Sequence, residues 1–444
     1  MARKKNVAPD EDKSVDVETE VETEVVDIEE TDPDEPVKGP AEDSEPKPKL
    51  KKKKKIKDAL ADGFTDFAAS TEKKWPGTTI VAFEAPVKEL PRMSTGNIGL
   101  DIATFGGWPR GRVSRLVGRE KSAKSGTCLN SIVQWQKHCG SCYMRHACAD
   151  DCPYSGNEDE RPKAAAVYVD VEGRMESMWY WPEAHGVDLK RLLVMVPPDG
   201  QHVVDFVDAV IRNKGAGVGL IIVDSIAMVT SQEEIKKETT DGRTAPVNAM
   251  LMNKAFRKWT SSVNALGVAD FKKPAILCVN QLRLTMDQYH PEAMPGGEGQ
   301  KYVTGLDIRF ASGKNHYLVT NDDGSLEDRT TGYGTRWKPG EDDTPDFVEI
   351  NYRVVASGTC PPGRFGTFNY WIKAAHGRRI GDPDNIERMW EYVKRLDLLK
   401  KEGRGYKLYD IESSTQAGIK EQFQVDAVSQ GKVWGVIVEK IINI

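Results

Sequence analysis

Apolar positions along the chain recur in two patterns. Short runs rich in Val and Ile end in polar or charged residues at four places: RVSRLVG up to residue 118, AAAVYVDVEG through Asp170 and Glu172, VGLIIVDS through Asp224, and PAILCVNQLR through Asn280 and Gln281. Runs of this length and β-branched content predict strands covered on both faces. Between them lie stretches at helical spacing, such as HVVDFVDAVIRNKG with Val203, Val207, Val210 and Ile211. Alternating strands and helices predict an α/β fold around a mainly parallel sheet. In such sheets ligands sit beyond the carboxyl ends of the strands, where all four polar endings gather.

The flanks read differently. Ile56, Leu60, Phe64 and Phe67 keep helical spacing until Trp75, Pro76 and Gly77 break it, which predicts a short amphipathic helix. Such a helix is marginal alone and must pack on its own core or on a neighbouring subunit. Beyond Arg309 the chain turns rich in Gly, Asp and Thr and reads as an extended insertion or hairpin, followed by strand-like FVEINYRVVA at 347 to 356. A small α-rich unit begins near Asp382, with IERMWEYVKRLDLLKK as its clearest helix. The expected segments are therefore a tail (1–55), the N-terminal helix (56–78), an α/β core (79–375) carrying insertions at 137–163 and 312–345, and a C-terminal unit (376–444).

Composition changes this picture at one end only. The 444 residues suffice for a full core, and the net charge of −6 hides an asymmetry: residues 10 to 45 are dominated by Asp and Glu, then KPKLKKKKKIK follows at 47 to 57. With almost nothing to bury, residues 1 to about 50 are expected to be disordered. The lysine run reads as a solvated flank or as a non-specific contact to DNA phosphates. No run of eighteen apolar residues occurs, and MARKKNVAPDEDKS lacks the apolar segment of a signal peptide. The expectation is a cytoplasmic protein without a membrane partner, in the host cytoplasm if the source is viral.

The chemistry centres on GREKSAKSGT at 118 to 127. A phosphate loop reads G-x-x-x-x-G-K-[ST]; Gly118, Lys124 and Ser125 fit, while Ala123 stands at the second glycine. Backbone N–H groups from Glu120, Lys121, Ser122 and Ala123 through Lys124, Ser125 and Gly126 are expected to cradle phosphates at a helix N-terminus. Lys124 supplies charge near the β and γ groups, the Ser125 hydroxyl ligates Mg²⁺, and Asp224 holds the ion through its water shell, the Walker B role. Glu172 is the candidate to orient or deprotonate the attacking water, against a reading as a loop-edge acid. Gln281 is placed to sense the γ-phosphate, and Trp179 either stacks on adenine or joins the core. If position 123 needs positive φ, its alanine costs on the order of 1 to 2 kcal/mol, and restoring glycine is expected to raise ATP turnover.

A second constellation lies apart from the loop. Four of the seven cysteines, Cys139, Cys142, Cys148 and Cys152, occur as C-x2-C-x5-C-x3-C. In a reducing compartment such clustering points to a metal more than to disulfides. Four thiolates suit tetrahedral Zn²⁺ and also an iron–sulfur cluster, and a metal-free cluster is the third reading. His138 and His146 are substitute ligands or solvent-exposed side chains; Cys128, Cys278 and Cys360 read as buried thiols.

Taken together, these motifs resemble the bacterial and phage RecA recombinase family. STGNIGLDIATFGGWPRGRVSRLVGREKSAKSGT resembles the approach to its phosphate loop, VYVDVEG its catalytic-glutamate segment, LIIVDSIAMVT its Walker B strand, and NQLR its γ-phosphate-sensing glutamine. PGGEGQKYVTGLDIRF is similar to the end of a DNA-binding loop and the next strand. The resemblance implies a RecA-like P-loop NTPase core with an N-terminal oligomerisation helix and a small α-rich C-terminal domain. It implies a DNA-dependent ATPase that uses ATP and Mg²⁺, self-assembles as a helical filament on single-stranded DNA, and pairs it with double-stranded DNA in recombination and repair. Glu172, Lys124 and Gln281 would be catalytic, and Asn253, Arg257, Arg283, Gly296 and Gly297 would bind DNA. The chain departs from the family at Ala123, at the cysteine insertion, and at Ala356 and Gly358, where the family has two lysines that reach the neighbouring subunit's ATP. Either Arg353 or Arg364 substitutes for those lysines, or hydrolysis is slow. An ATP-binding DNA-coating scaffold with little hydrolysis, or another DNA-dependent ATPase of this fold, are the alternative functions.

Overall fold

The computed structural model of the chain describes residues 66–67, 69–71, 73–74, 90–145, 148–175, 180–213, 217–237, 245–267, 272–284, 292–295, 300–331, 337–340 and 343–442. The acidic tail and lysine run lie outside the described residues, as does most of the helix expected at 56–78. Of that helix, 66–67, 69–71 and 73–74 are helical, with Phe67 exposed.

The expected strands form one large sheet. In chain order it contains β1 (Val113–Gly118), β2 (Ala165–Asp170), β3 (Leu192–Met195), β4 (Val218–Asp224), β5 (Ala275–Gln281), β6 (Leu306–Thr320), β7 (Leu326–Thr331), β8 (Phe347–Ser357) and β9 (Phe365–Trp371). The spatial order is β9-β8-β6-β1-β5-β4-β2-β3, and β7 pairs with β6. The pairs from β6 through β1, β5, β4 and β2 to β3 are parallel, whereas β7, β8 and β9 add antiparallel pairings. The insertion expected at 312–345 is thus in part the β6–β7 hairpin, which extends the sheet strand past its parallel neighbour.

Alternation along the parallel strands explains the layers. In β4, Ile221 and Val223 face helices α2 (Gly200–Arg212) and α3 (Ala245–Ala265), packing with Val203, Val207, Ile211, Phe256 and Trp259. Leu220 and Ile222 face the other way, toward α1 (Lys124–Trp135) and its Leu129, Ile132 and Trp135. Side chains on both faces are fully covered, which is why these strands read as continuous apolar runs. The stripe expected from HVVDFVDAVIRNKG is the buried face of α2, capped at its start by the Asp199 carboxylate accepting from His202 N–H.

The C-terminal unit has its own core, built from Met389, Trp390 and Val393 of α4 (Asn385–Arg395), Ile419 and Phe423 of α5 (Gln416–Val425), and Val433 and Ile437 of α6 (Ala427–Ile437). It is α-rich as expected but also carries a three-stranded antiparallel meander, Lys400–Glu402, Gly405–Leu408 and Ile411–Ser413. No helix of the described residues is long and apolar enough to cross a membrane.

Candidate nucleotide site and its neighbours

The ends of β1, β2, β4 and β5 meet as the topology requires: Gly118 registers with Gln281, and Asp170 with Asp224. From Gly118 the chain turns sharply into α1. Lys121 and Ala123 hold left-handed backbone, at φ 57° and 56°, so successive N–H groups curl inward to form an anion-binding concavity ahead of the helix. Ala123 is the N-cap of α1 and contributes no side-chain acceptor, leaving the helix N-terminus to the loop's contents. Position 123 therefore does require the conformation in which glycine is favoured. Gly126 has a packing role instead: a Cβ there would overlap the Tyr370 hydroxyl.

The Lys124 ammonium lies inside the loop, donating to Arg119 O at 2.6 Å and Ser122 Oγ at 3.2 Å. Burial lowers its pKa, opposed by the charges of Asp224 and Glu172. Ser125 Oγ donates to Asp224 Oδ2 at 2.5 Å, and the Tyr168 hydroxyl donates to the same oxygen at 2.5 Å. Burial raises the Asp224 pKa and the charge of Glu172 adds to this, against the two hydroxyl hydrogen bonds. A hydroxyl and a buried carboxylate in direct contact, both facing a phosphate loop, fit the donor set of a Mg²⁺-bound nucleotide, because a cation there relieves the cost of the buried charge.

Glu172 is a junction rather than a loop-edge acid. Its Oε1 accepts from Ser225 Oγ at 2.7 Å and from Gln281 Nε2 at 2.5 Å, and its Oε2 pairs with Arg174 Nε at 2.8 Å. The neighbouring Asp170 serves the backbone: its Oδ2 accepts from Met175 N–H at 2.6 Å and tightens the turn that presents Glu172. Six residues expected in the site, Gly118, Lys124, Ser125, Glu172, Asp224 and Gln281, thus converge. Trp179, Gly296 and Gly297 lie outside the described residues.

The residues expected to bind DNA are less gathered. Asn253 and Arg257 lie on α3; Arg257 is exposed and donates back to Asn253 O at 3.3 Å. Asn253 Oδ1 is buried without a hydrogen-bond partner among the described residues. Arg283 follows β5, is exposed, and reaches Ala227 O at 3.3 Å.

Three features near the site are absent from the sequence-based expectations. One is Tyr168, the second donor to Asp224. Another is the buried pair of Arg115 and Asp307, across β1 and β6, which is bidentate and extended by Arg115 Nη1 donating to Gln300 Oε1 at 3.0 Å. Gln300 and Asn280 in turn both donate to Pro295 O, at 3.3 and 3.0 Å, so the two sides of the segment after β5 are pinned to the sheet. The third is Glu292, which accepts from Arg119 of the phosphate loop at 2.7 Å and also pairs with Arg309. A charged residue inside an otherwise apolar strand, as in RVSRLVG and GLDIRF, was the available signal for the second.

The four clustered cysteines also come together. Their sulfurs all lie within 4.8 Å of one another, a set able to hold a metal ion. Burial raises the Cys142 thiol, but hydrogen bonds from the Ala149 and Met144 backbone and from the neighbouring thiols outweigh it and bring it down to about 7. His138 is not part of this set; its ring stacks on Trp135 and its Nδ1 faces the carbonyls of Gln134 and Trp135. His146 lies outside the described residues. Cys128, Cys278 and Cys360 are buried, as expected.

The chain is similar to known proteins. The RecA N-terminal domain family matches residues 65–158 and 155–325. Protein RecA of Ruegeria pomeroyi is 28% identical over 280 residues, covering 61% of this chain and 67% of that protein. Protein RecA of Clostridium novyi is 30% identical over 238 residues (52% of this chain, 58% of that protein), and Protein RecA of Prochlorococcus marinus is 31% identical over 230 residues (51% and 52%). With the family's domain matched across more than half of its length and a phosphate loop at the head of a mainly parallel sheet, this chain belongs to the RecA family.

Proposed function

We propose that the protein is an ATP-dependent DNA recombinase that assembles as a filament on single-stranded DNA and promotes homologous pairing and strand exchange. The observation that carries this reading is the contact of Gln281 with Glu172, because it joins the nucleotide site to the root of the segment that includes Arg283, Gly296 and Gly297. In this reading ATP with Mg²⁺ supplies the phosphoanhydride and the charge neutralisation of its β- and γ-phosphates. The loop from Gly118 to Gly126 orients the phosphates, with Lys124 as the fixed positive charge. Ser125 and Asp224 would hold the ion. Glu172, released from Gln281, accepts the proton of the attacking water. Gln281 is then free to follow the γ-phosphate, and its movement is passed to the DNA-binding segment that begins two residues later.

The same reading assigns DNA phosphate contacts to Arg257 and Arg283 and close backbone approach to Gly296 and Gly297, so binding is expected to weaken steeply with salt. Of the two arginines considered as replacements for the family's lysines, Arg353 is exposed on β8, whereas Arg364 is stacked over the Phe105 ring at 4.6 Å. Arg353 is the better candidate to reach a neighbouring subunit. Ala356 and Gly358 favour a second reading, a filament scaffold that binds ATP and DNA but turns over little.

Strand exchange measured beside DNA-stimulated ATPase separates the two. The recombinase reading expects both activities in the wild type and neither in Lys124→Ala; exchange at full rate in Lys124→Ala would defeat it. An Arg353→Ala variant that keeps ATP binding but loses turnover supports a role in trans, and unchanged turnover removes it.

A further inference from the structure

Residues 138–163 leave the end of α1 and return to β2, and the two ends of this excursion are tied by backbone hydrogen bonds. Gly140 N–H donates to Pro162 O at 2.7 Å, and Ala164 N–H donates to His138 O at 2.9 Å. The middle sends Tyr143 into the main core and gathers a second, small cluster of its own. Its buried cluster consists of Cys139, Cys148 and Cys152, with only Cys142, Ala149 and Tyr154 packed against them. Apart from Tyr143 and the segment's hydrogen bonds, the core that this excursion builds for itself is four thiols, one methyl and one ring. Yet three of the four thiols are at least nine-tenths buried and all four converge.

The spacing of the sulfurs says what the cluster suits. Cys139 Sγ and Cys152 Sγ are 4.0 Å apart, and no pair in the set exceeds 4.8 Å. A disulfide requires about 2.05 Å, about half that separation, and all four thiols are free. A tetrahedral ion with metal–sulfur bonds of about 2.3 Å places its four ligands about 3.8 Å apart, close to the separation found. A cluster in which each cysteine binds a different iron needs the sulfurs spread more widely than one ion does. The backbone is already shaped for thiolates: Ser141 N–H points at Cys139 Sγ at 3.4 Å, and Tyr143 takes left-handed backbone at φ 62° to close the first C-x2-C turn.

We propose that Cys139, Cys142, Cys148 and Cys152 bind one Zn²⁺ ion in a closed, structural tetrathiolate site. Its consequence is a brace on the end of the phosphate-loop helix. Tyr143, between the second and third ligands, is buried edge-on to Trp135 of α1 at 5.0 Å between centroids, and Arg110 sits over both rings at 5.3 and 5.2 Å. Loading the ion fixes Tyr143 in that stack; removing it frees the whole excursion.

The test uses the full-length protein purified under reducing, anaerobic conditions, with metals quantified by mass spectrometry and sulfide by chemical assay. The expected result is one zinc per chain, no sulfide and no visible absorption. A mercurial should release that zinc, and exchange with Co²⁺ should yield the intense visible bands of a tetrahedral tetrathiolate. Limited proteolysis should then cut within 138–163 only after metal removal. One iron per chain, a sulfide-containing chromophore, or four freely reactive thiols without stoichiometric metal would each overturn the assignment. Cys148→Ser and Cys152→Ser should each lower zinc content, and because the wild-type measurements stand alone, a variant that misfolds does not blunt the test. None of these readouts involves nucleotide or DNA, so their failure and failure of the recombinase reading are distinguishable.

Discussion

Replacing Ala123 with glycine is expected to leave the protein as stable as before or slightly more so, whereas the same change in an ordinary helix destabilises. Ala123 holds φ 56° and ψ 23°, where a side chain meets the following carbonyl at a cost of about 1 to 2 kcal/mol. Glycine removes that strain. Against it stand the extra freedom glycine restores to the unfolded chain, about 0.5 to 1 kcal/mol, and the loss of one half-buried methyl, at most about 0.8 kcal/mol. The balance runs from about 0.8 kcal/mol of loss to about 1.5 kcal/mol of gain and centres a few tenths of a kcal/mol on the stabilising side. Ala209, exposed on α2 with right-handed helical backbone, is the control; its change to glycine should cost about 1 kcal/mol. Urea unfolding of the two variants beside the wild type measures the sign directly. A loss of 1 kcal/mol or more in Ala123→Gly, matching Ala209→Gly, would refute the strain argument. Nucleotide affinity is a separate matter, because only a difference in strain between free and bound loops shifts binding. The affinity change is expected to stay within about threefold, below 1 kcal/mol, so any rise in turnover must come from the chemical step.

Two further perturbations probe the scaffold behind the site. His185 is fully buried, with Nδ1 donating to Trp181 O at 2.8 Å and Nε2 accepting from the Tyr370 hydroxyl at 2.8 Å; burial lowers its pKa from 6.5 to about 4. The unfolded chain therefore binds a proton that the folded one refuses, so stability present above pH 6.5 is lost as pH falls toward 4, by up to about 3 kcal/mol. Denaturant unfolding across that window should show the fall, and His185→Gln should flatten it; identical slopes in both proteins would contradict the assignment. Asp307→Ala strands the Arg115 guanidinium in a buried site and should cost about 3 to 5 kcal/mol, with Arg115→Met/Asp307→Leu recovering much of it; a cost below 1 kcal/mol for the single variant would show that the pair is solvated.

Most of the fold was legible in sequence because the four strand endings carry their chemistry at the point where an apolar run stops. Asp224 and Gln281 announce themselves in this way, and the sheet's parallel register then brings Gln281 beside Gly118 and Asp224 beside Asp170. Glu172 was legible as an acid but not as a junction, since its partners Ser225 and Gln281 are 53 and 109 positions away. Tyr168 was hidden by its own pattern: within AAVYVD it reads as one more apolar residue, and only the neighbouring strand turns its hydroxyl toward Asp224. The C-terminal meander escaped because its strands are three or four residues long and bury little beyond Leu408 and Ile411, too short for an alternation to register. The cysteine spacing pointed to a metal-binding class; that the four sulfurs gather within 4.8 Å of one another came only from the structure.

The measurement that tests the central claim most directly is ATP turnover with and without single-stranded DNA, in the wild type and in Gln281→Ala. If Gln281 carries the state of the nucleotide site to the DNA-binding segment, DNA stimulates the wild type strongly, while the variant loses the stimulation relative to its own DNA-free rate. A wild type indifferent to DNA, or a Gln281→Ala variant stimulated as fully as the wild type, would contradict the account.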